Sequence, residues 1–520
     1  MNDIFEYHQE SKLRKTRVNP PDPNTVRIIL EIIDRRLKHL DENADGTMDV
    51  EPLHILVMGG SVTFGRDSET NHLGLDLKRD CPWPMRLENM FNEGIFGGRK
   101  VVKVTNMAAG GSSSEIGAFV VQYQMFPTNE VPHIIMAAFT PNDHRQPDIE
   151  NVFYQEIQDF VQNAINVCPC NKDLPLVVLA DHMYRPTRYG RSRWDEQLRL
   201  SGYNAVLASW YDIMAFNHAN LARHHSIANF DNTTKIEQLM GGDFNLHMGA
   251  GFHIGLAWTA LFNFLEAFVD HCNDQEMRSS SPSTQTAGNN LTHSDVTPAN
   301  SRIDDLLTSP AVRHLPKLSK KDSITESLNR WIERSKDLES RCSTPTTVNN
   351  ETNKACAGED KICSHAWIVG KGTGVNYPHE LTRVLDPVLK SNDGWIVKGR
   401  PDRNPRVGFY AEKANATFTM KFPITETSMN FLTIFSMKSY GPDWIGSKME
   451  LRMTIEHPRN TTDTATREID GFHEIKTSVH FPHKFALPGN GASVGDSVIL
   501  EAKLVGGSTF KIHGMALCRF

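Results

Sequence analysis

Apolar and polar positions along the chain follow a helical rhythm first and then an alternation of buried-strand and helix patterns. Residues 24–41 (NTVRIILEIIDRRLKHLD) place apolar side chains three and four apart with charges between them, which predicts an amphipathic helix. Compact apolar runs then recur at HILVMGGS (54–61), VVKVTNMAAG (101–110), HIIMAAFT (133–140) and LPLVVLAD (174–181). Between them lie helical patterns at PMRLENMFNEGI (84–95), SSEIGAFVVQYQMF (113–126) and ENVFYQEIQDFVQNAINV (150–167). Strand–helix alternation of this kind implies βαβ crossovers and a parallel sheet. A long helical stretch is expected over 194–225, and AGFHIGLAWTALFNFLEAFVDHC (250–272) closes the pattern.

The pattern then breaks. Residues 273–362 are rich in Ser, Thr and Asn, with too little apolar content for a core, and read as a linker with one helical stretch at 323–339. From Trp367 onward, short alternating runs such as ATFTMKF (416–422), FLTIFSM (431–437), KMELRMTIE (448–456), SVILEAKLV (497–505) and TFKIHGMAL (509–517) are separated by Gly, Pro and Asn. That alternation predicts an all-β sandwich. The expected organisation is an N-terminal extension (1–51), an α/β domain (52–272), the linker (273–362) and a β-sandwich domain (363–520).

Composition narrows the classes without adding chemistry. A chain of 520 residues is too long for one ordinary core. Its net charge of −7 gives no basic excess for nucleic acid to recognise. No uninterrupted apolar run reaches the roughly 18 residues of a membrane helix, and the first residues, MNDIFEYHQESKLRKTR, contain no apolar core of a signal peptide. The compartment stays open, since N-x-[ST] sequons at Asn232, Asn290, Asn350, Asn415 and Asn460 occur about as often as chance allows in so Asn- and Thr-rich a chain. The eight cysteines match no zinc spacing, so no metal site is expected; Cys363 and Cys518 stand near the two ends of the sandwich, where either a bridge or two free thiols would fit.

Functional residues of an open parallel sheet gather at the carboxyl ends of its strands. The first run ends in Gly59-Gly60-Ser61-Val62-Thr63-Phe64-Gly65, a serine at a strand-to-helix turn among glycines that tolerate sharp backbone geometry. No Gly-Lys-[Ser/Thr] follows, which argues against a phosphate loop. The second ends in Asn106-Met107-Ala108-Ala109-Gly110-Gly111-Ser112-Ser113, where a freed backbone N–H could face a developing oxyanion or simply cap a helix. Pro141-Asn142-Asp143 follows the third, offering an exposed amide or a helix N-cap. Finally, Gly242-Asp243-Phe244-Asn245-Leu246-His247-Met248-Gly249 precedes the closing helix; a histidine oriented by a nearby carboxylate can serve a serine as general base.

In this order and at these places the blocks resemble the SGNH (GDSL-like) hydrolase family over about residues 52–272. The resemblance implies a flavodoxin-like, three-layer α/β/α domain and a serine esterase that needs no cofactor. It makes Ser61 the nucleophile, His247 the base and Asp243 its orienter, with an oxyanion hole from the Ser61 N–H, the Gly111 N–H and the Asn142 side chain. Two positions depart from the family pattern: its Gly-Asp-Ser reads Gly59-Gly60-Ser61, and its Asp-x-x-His is one residue longer. His253 is the rival base. The appended β domain suggests small acyl groups on carbohydrate as substrate, by analogy.

Alternatives stay open beside this reading. The same residues would serve an O-acyltransferase, and the stretched Asp-to-His spacing would suit a catalytically silent scaffold whose sandwich binds glycan or protein. Oligomeric state is not legible. Asp181-His182-Met183-Tyr184 reads as a capped and packed loop, Trp194, Trp210 and Trp258 as core, and Arg185, Arg188, Arg191 and Arg193 as a solvated loop. Trp395, Tyr410, Tyr440 and Trp444 read either as sandwich core or as a glycan platform.

Overall fold

The computed structural model describes residues 10–42, 50–65, 82–126, 131–143, 149–167, 175–182, 200–221, 250–280, 363–369, 375, 377–399, 407–459, 461–474 and 478–519. They fall into two compact units, one drawn from residues 1–106 and 132–344 and the other from 107–131 and 345–520.

The first unit is a six-stranded sheet of β1 (Arg17–Asn19), β2 (Leu53–Gly59), β3 (Val102–Asn106), β4 (Ile134–Ala138), β5 (Leu176–Asp181) and β6 (Met214–Asn217), in the spatial order β1-β6-β5-β4-β2-β3. Strands β2 to β6 are parallel, and β1 adds antiparallel to the β6 edge. Counting from β2, the parallel strands run 2-1-3-4-5, the doubly wound order of flavodoxin-like folds. Every residue of β2, β4, β5 and β6 is buried, as apolar runs covered on both faces require. Helix α1 (Pro23–Glu42) is capped by Asp22, whose carboxylate accepts the Thr25 N–H at 2.9 Å, and buries Val26, Ile29 and Ile33. Short α2 (Ser61–Phe64) follows β2, and α3 (Trp83–Asn89) continues into a wider π turn over Met90–Ile95.

The long helical stretch expected over 194–225 is broken. Residues 200–210 are helical, but the chain turns at Asp212, which has φ 52°, and enters β6, the fifth parallel strand. The closing helix extends eight residues beyond position 272, into the stretch assigned to linker. It spans Ala250–Ser280, and its Leu256, Ala257, Ala260, Leu261 and Phe264 join the core beneath the sheet. Within it, Phe252–Asp274 is long and apolar enough to cross a membrane, yet 61% of that window is buried inside the protein, as befits a core helix. The rest of the linker, with its helical stretch at 323–339, lies outside the described residues.

The second unit is a β-sandwich. One sheet runs β15 (Val479–Ala486), β12 (Phe431–Lys438), β17 (Phe510–Cys518), β10 (Gly408–Ala411) and β9 (Trp395–Lys398), with β7 (Cys363–Ile368) also paired to β17. The other runs β14 (Thr462–Asp470), β13 (Lys448–Glu456), β16 (Ser497–Gly506), β11 (Thr417–Pro423) and β8 (Leu389–Asp393). All ladders are antiparallel, and the two inner faces share one core in which Trp395 packs edge-on to Phe418 at 5.0 Å and against Phe409 at 5.2 Å. Trp395 is therefore core, whereas Tyr440 is 42% exposed. Antiparallel pairing puts Cys518 opposite Cys363, and the two form a disulfide.

The segment 107–131 belongs to this second unit rather than to the α/β domain that the sequence pattern assigns it to. Its helix α4 (Ser114–Gln122) leads into Tyr123, whose hydroxyl pairs with Thr433 Oγ1 at 2.8 Å, while Phe119 meets Phe435 edge-on at 6.2 Å. Thr433 and Phe435 alternate with the core-facing Leu432 and Ile434, so this contact covers the outer face of the β12 sheet. Burial of Tyr123 pushes its hydroxyl up to about 12.

Candidate active site

In this sheet order the chain reverses between β2 and its neighbour β4, and the crevice beyond the carboxyl ends of those strands is where doubly wound folds bind ligands. Ser61 emerges from β2 there as the first residue of α2 and is 8% exposed. The turn is held from several sides. Gly65, at φ 96°, ends α2 in the left-handed region that glycine adopts freely. The Thr63 carbonyl accepts the Asn106 amide at 2.8 Å, and Thr63 Oγ1 accepts the Trp83 indole N–H at 3.4 Å.

Strand β4 ends in α5 (Thr140–Asp143), a single turn whose four residues are all buried and whose Asn142 N–H donates to the Phe139 carbonyl at 2.7 Å. The Asn142 side chain lies directly against Gly60. A Cβ built on Gly60 would stand 1.8 Å from Asn142 Nδ2 and 2.6 Å from its Cγ. That observation accounts for the glycine at position 60: the volume a side chain would take there is already filled by the amide. A Cβ on Gly59 would meet the backbone carbonyl of Ala138 at 2.7 Å, so the ends of β2 and β4 approach too closely for a side chain there, whereas at Gly60 the obstacle is the Asn142 amide alone.

His253, the rival base, is fully buried, and its Nδ1 accepts the Trp83 backbone N–H at 3.2 Å. A neutral imidazole that accepts at Nδ1 carries its proton on Nε2, leaving no basic nitrogen for a serine. His253 instead ties the first turn of α6, the Ala250–Ser280 helix, through Trp83 to Thr63, two residues from Ser61. The Ile149–Ile165 helix buries Phe160 edge-on to Phe139, with ring centroids 5.9 Å apart.

Gly111 is described within the second unit. It has φ 87°, its carbonyl accepts the His480 N–H at 3.5 Å, and a Cβ there would meet the Ser478 carbonyl at 2.9 Å. Asp243 and His247, together with Met183, Tyr184, Arg185, Arg188, Arg191, Arg193 and Trp194, lie outside the described residues.

Comparison with known proteins gives partial structural similarities. No family model matches the chain, and no curated protein matches its sequence. The similar solved structures include TesA and an acetylxylan esterase. TesA is 17% identical, with 42% of this chain and 99% of that one covered at a TM-score of 0.28. An acetylxylan esterase from Geobacillus stearothermophilus is 14% identical, covering 41% of this chain and 93% of that one, also at 0.28. The module TmCBM61, solved with β-1,4-galactotriose, is 9% identical, covering 25% of this chain and 86% of its own at 0.18.

Sequence reasoning underrated the end of β5. Asp181 is 3% exposed and accepts hydrogen bonds from the Thr140 hydroxyl and from Asn204 Nδ2, the latter at 2.7 Å. Burial raises its carboxyl to about 6 against the opposing effect of hydrogen bonds from Thr140, Asn204 and Ser201. The only sequence signal was an aspartate closing an apolar run, which a loop cap produces as readily. Trp210 and Trp258, expected in the core, are 44% and 37% exposed, because their helices turn those positions outward from the faces that bury Tyr203, Leu256 and Ala257.

Proposed function

We propose that the first unit is an SGNH-type serine esterase with Ser61 as nucleophile. The observation that carries this reading is the Asn142 amide packed against Gly60, next to Ser61, at the switch point between β2 and β4. An amide donor beside a serine at the mouth of a parallel sheet suits stabilisation of the negative charge that develops on an ester carbonyl. His247 is proposed as base and Asp243 as its orienter; in sequence, His247 precedes by three residues the start of α6, the helix whose first turn is tied to the Ser61 turn. The Ser61 N–H joins the Asn142 amide as a proposed oxyanion donor.

In the reaction, Ser61 Oγ attacks the ester carbonyl carbon while its proton passes to His247. The tetrahedral adduct collapses, the alcohol departs with that proton, and the acyl group remains on Ser61. Water, deprotonated by His247, then releases the carboxylic acid and restores the serine. The proposed substrate class is a short acyl group, such as acetyl, on carbohydrate.

Hydrolysis of short- and long-chain nitrophenyl esters by the wild type and Ser61→Ala, each with and without a chelator, tests the reading. Activity that survives chelation and vanishes in the variant supports it, and the chain preference tests the short-acyl part. Release of acetyl groups to an added sugar rather than to water would reassign the same residues to acyl transfer. A folded wild type inactive on these esters and on acetylated sugars would overturn the catalytic reading in favour of a binding scaffold.

A further inference from the structure

Asp181 closes β5 at the same sheet edge from which Ser61 and Asn142 emerge, one strand beyond β4. Its surroundings are donors: the Thr140 hydroxyl, Asn204 Nδ2 at 2.7 Å and the Ser201 side chain. Asn204 Nδ2 also reaches Thr140 Oγ1, at 3.1 Å, closing a triangle of side chains each 3% exposed. Among the described residues no cationic side chain forms an ion pair with this carboxylate. A carboxylate buried without a counter-ion is costly unless its hydrogen bonds do something the fold requires. Here they grip Thr140, the first residue of the single turn that carries Asn142 two positions later. That turn is otherwise short, with Asn142 and Asp143 both donating their N–H groups to one carbonyl, that of Phe139.

We propose that Asp181 is a positioning residue for the oxyanion donor, fixing the Asn142 amide beside Ser61 through Thr140. The inference rests on the esterase reading above and extends it to a residue that does not touch the substrate. An acceptor oxygen is what Thr140 and Asn204 need from position 181, so asparagine can replace aspartate in this role and alanine cannot.

The test is a mutant cycle on a small soluble ester. Asn142→Ala alone is expected to lose about 10²- to 10³-fold in kcat. Asp181→Ala is expected to lose about tenfold or more in kcat with little change in KM, and Asp181→Asn to keep kcat within about threefold. Because both residues act through one amide, the Asp181→Ala/Asn142→Ala double variant should be no slower than Asn142→Ala. Should Asp181→Ala fail to fold, Thr140→Val removes the donor to Asp181 with its shape kept, and the same non-additivity with Asn142→Ala is expected. Losses that multiply in the double variant, or an Asp181→Asn as impaired as Asp181→Ala, would overturn the positioning role while leaving the esterase reading intact. A near-normal Asn142→Ala, or an inactive wild type, would instead remove the reading on which the inference stands.

Discussion

Replacing Gly60 by alanine would place a methyl group 1.8 Å from Asn142 Nδ2, 2.6 Å from its Cγ and 3.0 Å from its Oδ1. Carbon and nitrogen sit in ordinary contact at about 3.5 Å, so the amide must retreat by roughly 1.5 Å or more. The φ of Gly60 is −87°, which alanine adopts, and the clash falls on a side-chain amide rather than on backbone, so the fold should survive. A donor shifted that far can no longer hold a hydrogen bond of about 2.7–3.1 Å to an oxyanion. The expected result is a kcat on nitrophenyl acetate lower by about 10²- to 10³-fold, equivalent to about 3–4 kcal/mol of transition-state stabilisation. Circular dichroism should be unchanged and the melting temperature should move by only a few degrees. A correctly folded Gly60→Ala that turns over within threefold of wild type would refute the argument that the amide at this position does the stabilising.

Other consequences can be checked independently. His247→Ala should abolish ester turnover, whereas His253→Gln, which disturbs the bond from the Trp83 N–H, should cost about 1–3 kcal/mol of stability by chemical denaturation and keep measurable activity; the reverse ranking would exchange their roles. His480 and His513 lie with ring centroids 3.7 Å apart in the sandwich unit, and burial, aided by Lys511, holds His480 down to about 3, while burial and then His480 hold His513 well below its ordinary range. The unfolded chain binds protons at these sites near pH 6.5 and the folded one does not, so their contribution is intact above that pH and declines as the pH falls toward 3. Denaturant midpoints at pH 7.5, 5.5 and 4.5 should fall in that order, and a flat profile would contradict it. Phe435→Ala should lower hydrogen-exchange protection over residues 114–122, which no change would contradict, because Phe119 of α4 rests on that ring.

Strands β2, β4 and β5 were legible because strands covered on both faces must be continuously apolar, while β3, at the sheet edge, alternates buried and exposed positions; each of the four expected runs overlaps one of these strands. Strand β6 was not, since MAFN offers only four residues behind a helix and its strand character comes from pairing with β5. The docking of α4 on the sandwich was hidden for a related reason: its apolar face announces burial, but the partner ring, Phe435, is over three hundred residues away. Around the candidate site, Ser61 and Asn142 followed from reading the ends of apolar runs at a sheet edge. Their proximity depended on β2 and β4 being neighbours, which only the strand order reveals. The grip of Asp181 on Thr140 joins the ends of two strands and left no spacing signal. Cys363 and Cys518 could not be paired from composition, since their meeting depends on β7 lying beside β17.

In the proposed reaction Ser61 forms a covalent bond to the acyl group. Incubating the folded wild type with a fluorophosphonate, digesting it and locating the adduct by tandem mass spectrometry tests this at the level of the atom concerned. The account predicts one phosphonyl group on the peptide containing Ser61, with loss of ester turnover in proportion to labelling. A protein that hydrolyses esters while Ser61 stays unmodified, or that carries the label on another residue, would contradict it.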